Sequence, residues 1–182
     1  MSELFSIQLQ DQQQSSDGVW LDLPTTTEQV QAALRQIDIS SDNPQGLFIS
    51  GYFAEEEKRF AIPYNMVLAS NVDELNFLAS RLETLSAGER AELNAALQVP
   101  QSELSSIGRI TDFPENVDYY VHLPDVRGPA QLGDYYLNRS GMVDMPEEWK
   151  GGIDTAQFGR YVAQQEQGAF PQYGYLVKSG DE

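Results

Sequence analysis

The chain has 182 residues, with 28 acidic against 11 basic side chains and a formal net charge of −17. Hydrophobic residues make up 41% of it and aromatic residues 10%, enough to build a folded core and to exclude a disordered chain. A field of this sign repels phosphates and anionic lipids and attracts basic proteins, so we expect no direct binding to nucleic acid or membranes. Adaptation of a whole proteome to high salt is an alternative explanation of the charge.

The sequence contains no cysteine, which excludes disulfides, thiol chemistry and cysteine-bound zinc. No apolar run approaches the ~20 residues of a membrane span. The first residues also lack the basic region and apolar stretch of a secretory signal. These features predict a cytoplasmic protein.

The first third of the chain shows strand periodicity. Alternating apolar and polar residues predict a strand over Leu4–Leu9. Two apolar stretches next to turn residues or proline predict further strands over Val19–Leu23 and Leu47–Phe53. Between the second and third strands, Thr25 and Glu28 have the spacing of a capping box, which predicts the start of a helix. We expect a small antiparallel sheet with one helix.

The middle of the chain changes to helical patterning. Asn71 with Glu74, and Ser86 with Glu89, are two further capping pairs, each followed by apolar residues at helical spacing. Pro100 is expected to open a third short helix. Short helices on short connections predict antiparallel packing into a small bundle.

The last third combines helices with a strand. A helix is predicted over Gln131–Ser140, with Gly141 just after its end, and Asp154 is expected to cap a second helix that Gly168 ends. Aromatic residues predict a strand over Phe170–Lys178. The predicted fold class is therefore α+β, a chain of small subdomains. Their expected bounds are 1–64 for the sheet with its helix, 65–123 for the helical bundle and 124–182 for the mixed part.

A search for catalytic chemistry finds little. The single histidine, His122, lies among aromatic and aliphatic residues, which favours a half-buried structural side chain over a catalytic base or zinc ligand. The sequence has no Gly-x-Ser-x-Gly elbow and no glycine-rich phosphate loop. Paired carboxylates such as Asp112 and Glu115 leave a hydrolase as a remote alternative. We expect no enzymatic activity, no metal and no cofactor.

The acidic residues are dispersed along the folded part of the chain, whereas acidic binding tails are contiguous runs. Duplex DNA carries one negative charge per ~1.7 Å of axis, and carboxylates on a protein surface could reproduce part of that pattern. An ordinary acidic surface explains the composition equally well. The candidate partner-binding carboxylates are those of Glu83, Glu89, Glu92, Glu103, Asp112, Glu115, Asp118, Asp125, Asp134, Asp144, Glu147 and Glu148.

Besides its acidic residues, the chain contains one recognisable sequence motif. Leu132-Gly133, Tyr135, Gly141 and a final Pro146 follow the order Leu-Gly-x-Tyr, then Gly, then apolar-acid-apolar-Pro. This segment resembles the antirestriction motif of the ArdA family, DNA mimics encoded by plasmids, transposons and phages. Other similar segments lie at both ends of the chain, namely Gly18–Pro24, Ile153-Asp154, Phe158–Arg160, Gly168–Phe170 and Tyr173–Tyr175.

The resemblance implies a function and an assembly. ArdA proteins are elongated, curved rods of three small domains that act as dimers, and they occupy the DNA groove of type I restriction–modification enzymes in the host cytoplasm. The resemblance places the motif residues near the dimer interface or in the core. These residues are Leu132, Gly133, Tyr135, Tyr136, Leu137, Gly141 and Pro146. The alternative function is an acidic module that binds another basic DNA-associated or defence protein.

The chain departs from the family pattern where acids are replaced. Asn138 and Arg139 occupy positions of the motif where relatives carry acids. Near the last helix, three further residues stand in place of acids, namely Ala156, Tyr161 and Gln165. Each replacement lowers the local negative potential. We therefore expect potency or target choice to differ from that of relatives.

Overall fold

The structure is a computed structural model that describes residues 3–13, 17–40, 45–99, 103–116 and 119–179. Within these ranges the chain forms five strands and eight α-helices, which confirms the α+β class. The strands are β1 Phe5–Asp11, β2 Val19–Leu23, β3 Leu47–Phe53, β4 Tyr120–Leu123 and β5 Tyr175–Lys178. The helices are α1 Thr27–Gln36, α2 Tyr64–Leu68, α3 Val72–Glu83, α4 Ala87–Leu97, α5 Ile107–Thr111, α6 Pro129–Asp134, α7 Glu147–Lys150 and α8 Thr155–Gln165.

The chain divides into two compact units. The first unit comprises Met1–Ser86 and Glu103–Pro114, and the second comprises Ala87–Ser102 and Glu115–Glu182. The predicted middle helices are shared between them, since α3 and α5 belong to the first unit and α4 to the second. The division at residues 64 and 123 stays a prediction.

The first unit contains an antiparallel sheet of order β2-β1-β3. Alternation places one set of side chains in the core: Ile7, Leu9 and Leu23 are fully buried. The register pairs Gln8 with Trp20, and both lie on the opposite, outer face. The predicted bounds of β2 and β3 are confirmed.

Helix α1 begins one residue later than predicted. Thr26 is the capping residue, and its hydroxyl accepts a hydrogen bond from the Gln29 amide at 3.4 Å while the Gln29 side chain accepts one from the Thr26 amide. The backbone of Thr25 is held elsewhere. Its N–H donates to Asn76 Oδ1 at 2.7 Å and its carbonyl accepts from Asn76 Nδ2 at 3.0 Å. The predicted Thr25–Glu28 capping box is therefore wrong, because a contact to α3 fixes Thr25 outside the helix.

Helix α3 confirms its predicted cap: Asn71 Oδ1 accepts from the Glu74 amide at 2.9 Å. The expected start of a helix at Pro100 lies outside the described residues, but residues 103–106 are not helical. Helix α5 instead begins at Ile107, where the Ser106 hydroxyl accepts from the Arg109 amide at 3.3 Å.

The second unit pairs β4 with β5, opposing Tyr120 to Lys178 and Leu123 to Tyr175. Strand β4 was not predicted, and β5 is shorter than the predicted Phe170–Lys178. Helix α6 continues into a π-helical turn over Tyr135–Arg139, so the predicted helix is confirmed over most of its length.

Candidate functional site

The motif segment, defined here as residues 132–146, starts in the core of the second unit. Leu132 is fully buried, beside Val126, Ala163 and Tyr175. Leu137 is 3% exposed. These two leucines therefore belong to the core of the unit.

Gly133 permits a close approach of α6 to α8. A Cβ atom at Gly133 would lie 1.9 Å from the carbonyl oxygen of Thr155, at the start of α8. The contact is mutual, because a Cβ atom at Gly159 of α8 would lie 1.8 Å from the carbonyl oxygen of Pro129 in α6. Only glycine fits at either position, so the Leu-Gly pair of the motif sets the packing of α6 on α8.

A carboxylate that was not predicted to matter joins the motif to the rest of the unit. The Tyr136 hydroxyl donates to Glu166 Oε1 at 2.6 Å, and the Tyr175 hydroxyl donates to Glu166 Oε2 at 2.8 Å. Burial, and then the hydrogen bond to Glu166, raises the pKa of both tyrosines well above the usual value for a phenol. Tyr136 lies thirty residues from Glu166 and Tyr175 lies nine, and no local signal marks Glu166.

Two residues of the motif segment contact the Asp134 carboxylate. Asn138 Nδ2 donates to Asp134 at 2.8 Å, and Arg139 Nε lies 3.6 Å from the same carboxylate. The Arg139 guanidinium also lies over the Tyr135 ring, 5.6 Å from its centre. Tyr135 in turn packs edge-on against Tyr136 at 5.5 Å. This part of the motif therefore contributes little negative charge to the surface.

The end of the motif segment is exposed. Gly141 has a positive φ of 71°, as expected for the residue that ends the helix. Gly141 and Pro146 are exposed, and Met142 is 76% exposed. The segment thus passes from core to surface, with Tyr135 and Tyr136 half-buried between the two.

Most of the predicted partner-binding carboxylates lie on the surface. Seven are exposed, namely Glu103, Asp112, Glu115, Asp125, Asp144, Glu147 and Glu148. Four are half-buried, namely Glu83, Glu89, Glu92 and Asp134. Asp118 lies outside the described residues.

Three of the exposed carboxylates take no part in the hydrogen bonds and ion pairs of the described residues. Within the part of the chain that the structure describes, Asp125, Asp144 and Glu148 make no side-chain hydrogen bond or ion pair. Glu147, in contrast, pairs with Lys150 at 2.6 Å.

The single histidine makes a structural contact. His122 lies half-buried on β4, with Nε2 2.8 Å from the Tyr173 carbonyl oxygen, a structural contact. Among the described residues, no three carboxylate or histidine side chains are grouped as metal ligands would be. None of the helices described is both long and apolar enough for a membrane span.

Comparison with known proteins identifies the family. The model of the ArdA antirestriction protein family matches residues 14–177, nearly the whole chain. A search of curated proteins gave no match. The matched residues include the motif segment and the two helices α6 and α8. The chain therefore belongs to the ArdA family of antirestriction proteins.

Proposed function

We propose that this antirestriction protein inhibits type I restriction–modification enzymes by occupying their DNA-binding groove as a mimic of duplex DNA. The observation that carries the proposal is the set of seven exposed, dispersed carboxylates on a chain of net charge −17. A groove that binds phosphates presents lysine and arginine side chains, which pair equally with carboxylates. The protein acts by binding alone and catalyses no reaction.

Inhibition of this kind depends on many weak contacts. An exposed ion pair contributes ~0–1 kcal/mol, so no single carboxylate dominates the affinity. Several such contacts add up when the fold holds the carboxylates at fixed positions. Because exposed charges are screened by salt, the affinity for the enzyme falls as ionic strength rises.

We further propose that the protein acts as a homodimer through the exposed end of its motif segment. Met142, at this end of the segment, supports the proposal, since it is 76% exposed in the monomer. Large exposed apolar side chains are common at interfaces between subunits. Sedimentation of the purified protein tests the assembly, and a monomer at micromolar concentration would contradict it.

The test of the function is a competition titration. Purified protein is added to a type I restriction–modification enzyme bound to labelled DNA, at about 50 mM and about 200 mM salt. We expect near-stoichiometric release of the DNA at low salt and clearly weaker release at high salt. No release at low salt contradicts groove occupation. Inhibition of cleavage while the DNA stays bound would instead favour an acidic module acting elsewhere on the enzyme.

A further inference from the structure

The outer face of the β2-β1-β3 sheet carries exposed aromatic side chains. Trp20, Phe48 and Phe53 are 51%, 37% and 59% exposed. Strand register places all three on this face, each opposite an outward-facing polar residue of β1. Aromatic side chains of this size are usually buried, so an exposed group on one sheet face indicates a contact surface.

Trp20 lies across the sheet. A Cβ atom at Gly51 of β3 would lie 3.0 Å from Trp20 Cη2 and 3.1 Å from Gln8 Cβ. The indole of β2 therefore extends over the central strand as far as β3. Half of its surface stays open to solvent, and an open indole is the best aromatic acceptor for a cation.

The charge on this face is complementary to a cation. The three strands contain Asp11 and Asp22 but no lysine or arginine. Asp22 is exposed on the same face as Trp20, and its Oδ1 accepts a hydrogen bond from the Ser6 hydroxyl at 2.6 Å. Glu3, Trp20 and Asp22 line one groove of about 490 Å³. A flat aromatic surface and two carboxylates therefore meet at one place.

We propose that this face binds an arginine side chain of a basic protein partner, with the guanidinium stacked on Trp20 and paired with Asp22. Arginine fits better than lysine because its planar group stacks on an aromatic ring while its N–H groups reach a carboxylate. A stacked nucleic-acid base would bring phosphates beside Glu3 and Asp22, which repel them. The inference goes beyond the proposed function, because it uses none of the carboxylates assigned to groove occupation.

The experiment uses the fact that the chain has two tryptophans, Trp20 and Trp149. In the full-length Trp149→Phe variant, Trp20 gives the sole indole N–H signal in an NMR spectrum. The variant is titrated with the peptide acetyl-Gly-Arg-Gly-Arg-Gly-amide. We expect a saturable shift of the Trp20 signal, and about threefold weaker binding of the lysine analogue.

Substitutions locate the contact. Asp22→Asn is expected to weaken binding about fivefold, because it removes the charge and keeps the shape. Asp38→Asn, the same change at an exposed residue of positive φ in the same unit, is the matched control and should leave binding unchanged. Trp20→Leu is expected to weaken binding about tenfold and Trp20→Phe less, both followed through backbone amide signals of β1. Circular dichroism checks that each variant is folded.

Three results would overturn the proposal. The first is an unmoved Trp20 signal at saturating arginine peptide. The second is equal binding of the arginine and lysine peptides, or equal effects of Asp22→Asn and Asp38→Asn, which indicate unspecific attraction to an acidic protein. The third is a shift caused by oligothymidine, which identifies the face as a stacking surface for nucleic acid.

Discussion

Charge and motif lie in different regions of this molecule. Residues 1–118 carry 19 acidic and 6 basic side chains, whereas residues 119–182 carry 9 and 5. The second region contains the whole motif segment, and its net charge of −4 is much smaller than the −13 of the first. The comparison indicates that the motif specifies a fold, while most of the negative charge is carried by the rest of the chain.

Several acids of the second region serve the structure itself. Asp134 is paired with Arg139, and Glu166 accepts two tyrosine hydroxyls. Asp154 caps α8 by accepting from the Ala156 and Gln157 amides at 2.9 Å. The carboxylates left for a partner in this region are therefore few, and basic residues lie among them.

The largest expected effect is that of a methyl group at the helix contact. Gly133→Ala should destabilise the second unit by about 3 kcal/mol or more, because the added Cβ meets the Thr155 carbonyl. Urea unfolding measures the loss. The control is Gly108→Ala in α5, where the nearest atom is 4.0 Å away and no loss is expected. Equal stability of the two variants would refute the packing role of the motif.

A smaller loss is expected at the carboxylate that bridges the tyrosines. Glu166→Gln should cost about 1–3 kcal/mol of unfolding free energy, since an amide offers one acceptor oxygen to two hydroxyl donors. Glu148→Gln makes the same charge change at an exposed residue and should leave stability unchanged. If both variants unfold alike, Glu166 has no bridging role.

The tyrosines also predict an alkaline limit of stability. The pKa values of Tyr136 and Tyr175 are raised in the folded state, mainly by burial, from a model-compound value of 10.0. The folded state therefore holds these protons more tightly, and stability is retained below about pH 10 and lost as the pH rises beyond it. Unfolding in urea at about pH 8 and about pH 11 should show a smaller alkaline loss for Tyr175→Phe than for the wild type. The control is Tyr119→Phe, at an exposed tyrosine. Between about pH 8 and about pH 11 this variant should lose as much stability as the wild type does.

The smallest effect is expected from single surface acids. Asp144→Asn should weaken inhibition of a restriction–modification enzyme by less than about fivefold, because one exposed ion pair contributes at most ~1 kcal/mol. Dose–response curves for cleavage measure the change. Abolition of inhibition by this one substitution would show that a single contact dominates, and distributed mimicry would be the wrong mechanism.

Local patterns predicted the local structure. The apolar stretches Val19–Leu23 and Leu47–Phe53, next to turn residues or proline, predicted the bounds of both strands, and Asn71 predicted the start of α3. The start of α1 was off by one residue because three consecutive threonines offer overlapping capping pairs. Only the distant Asn76 selects between them.

Features that depend on distant partners were not predictable. Strand β4 forms because its residues pair with β5, more than fifty residues later in the sequence. Its own four residues do not alternate clearly enough to predict a strand. The bridging role of Glu166 was not predictable either, because Tyr136 and Tyr175 contact it only in the folded unit. The family resemblance found the motif, but the helix contact that explains Gly133 required the structure.

The most direct test compares two sets of three exposed carboxylates, one set from each region. One variant changes Glu103, Asp112 and Glu115 to amides, and the other changes Asp125, Asp144 and Glu148. The affinity of each for a type I restriction–modification enzyme is measured from about 50 to about 200 mM salt. We predict a larger loss of affinity and a flatter salt dependence for the first set, which lies in the strongly acidic region. An equal or larger effect of the second set would contradict the separation of charge from motif.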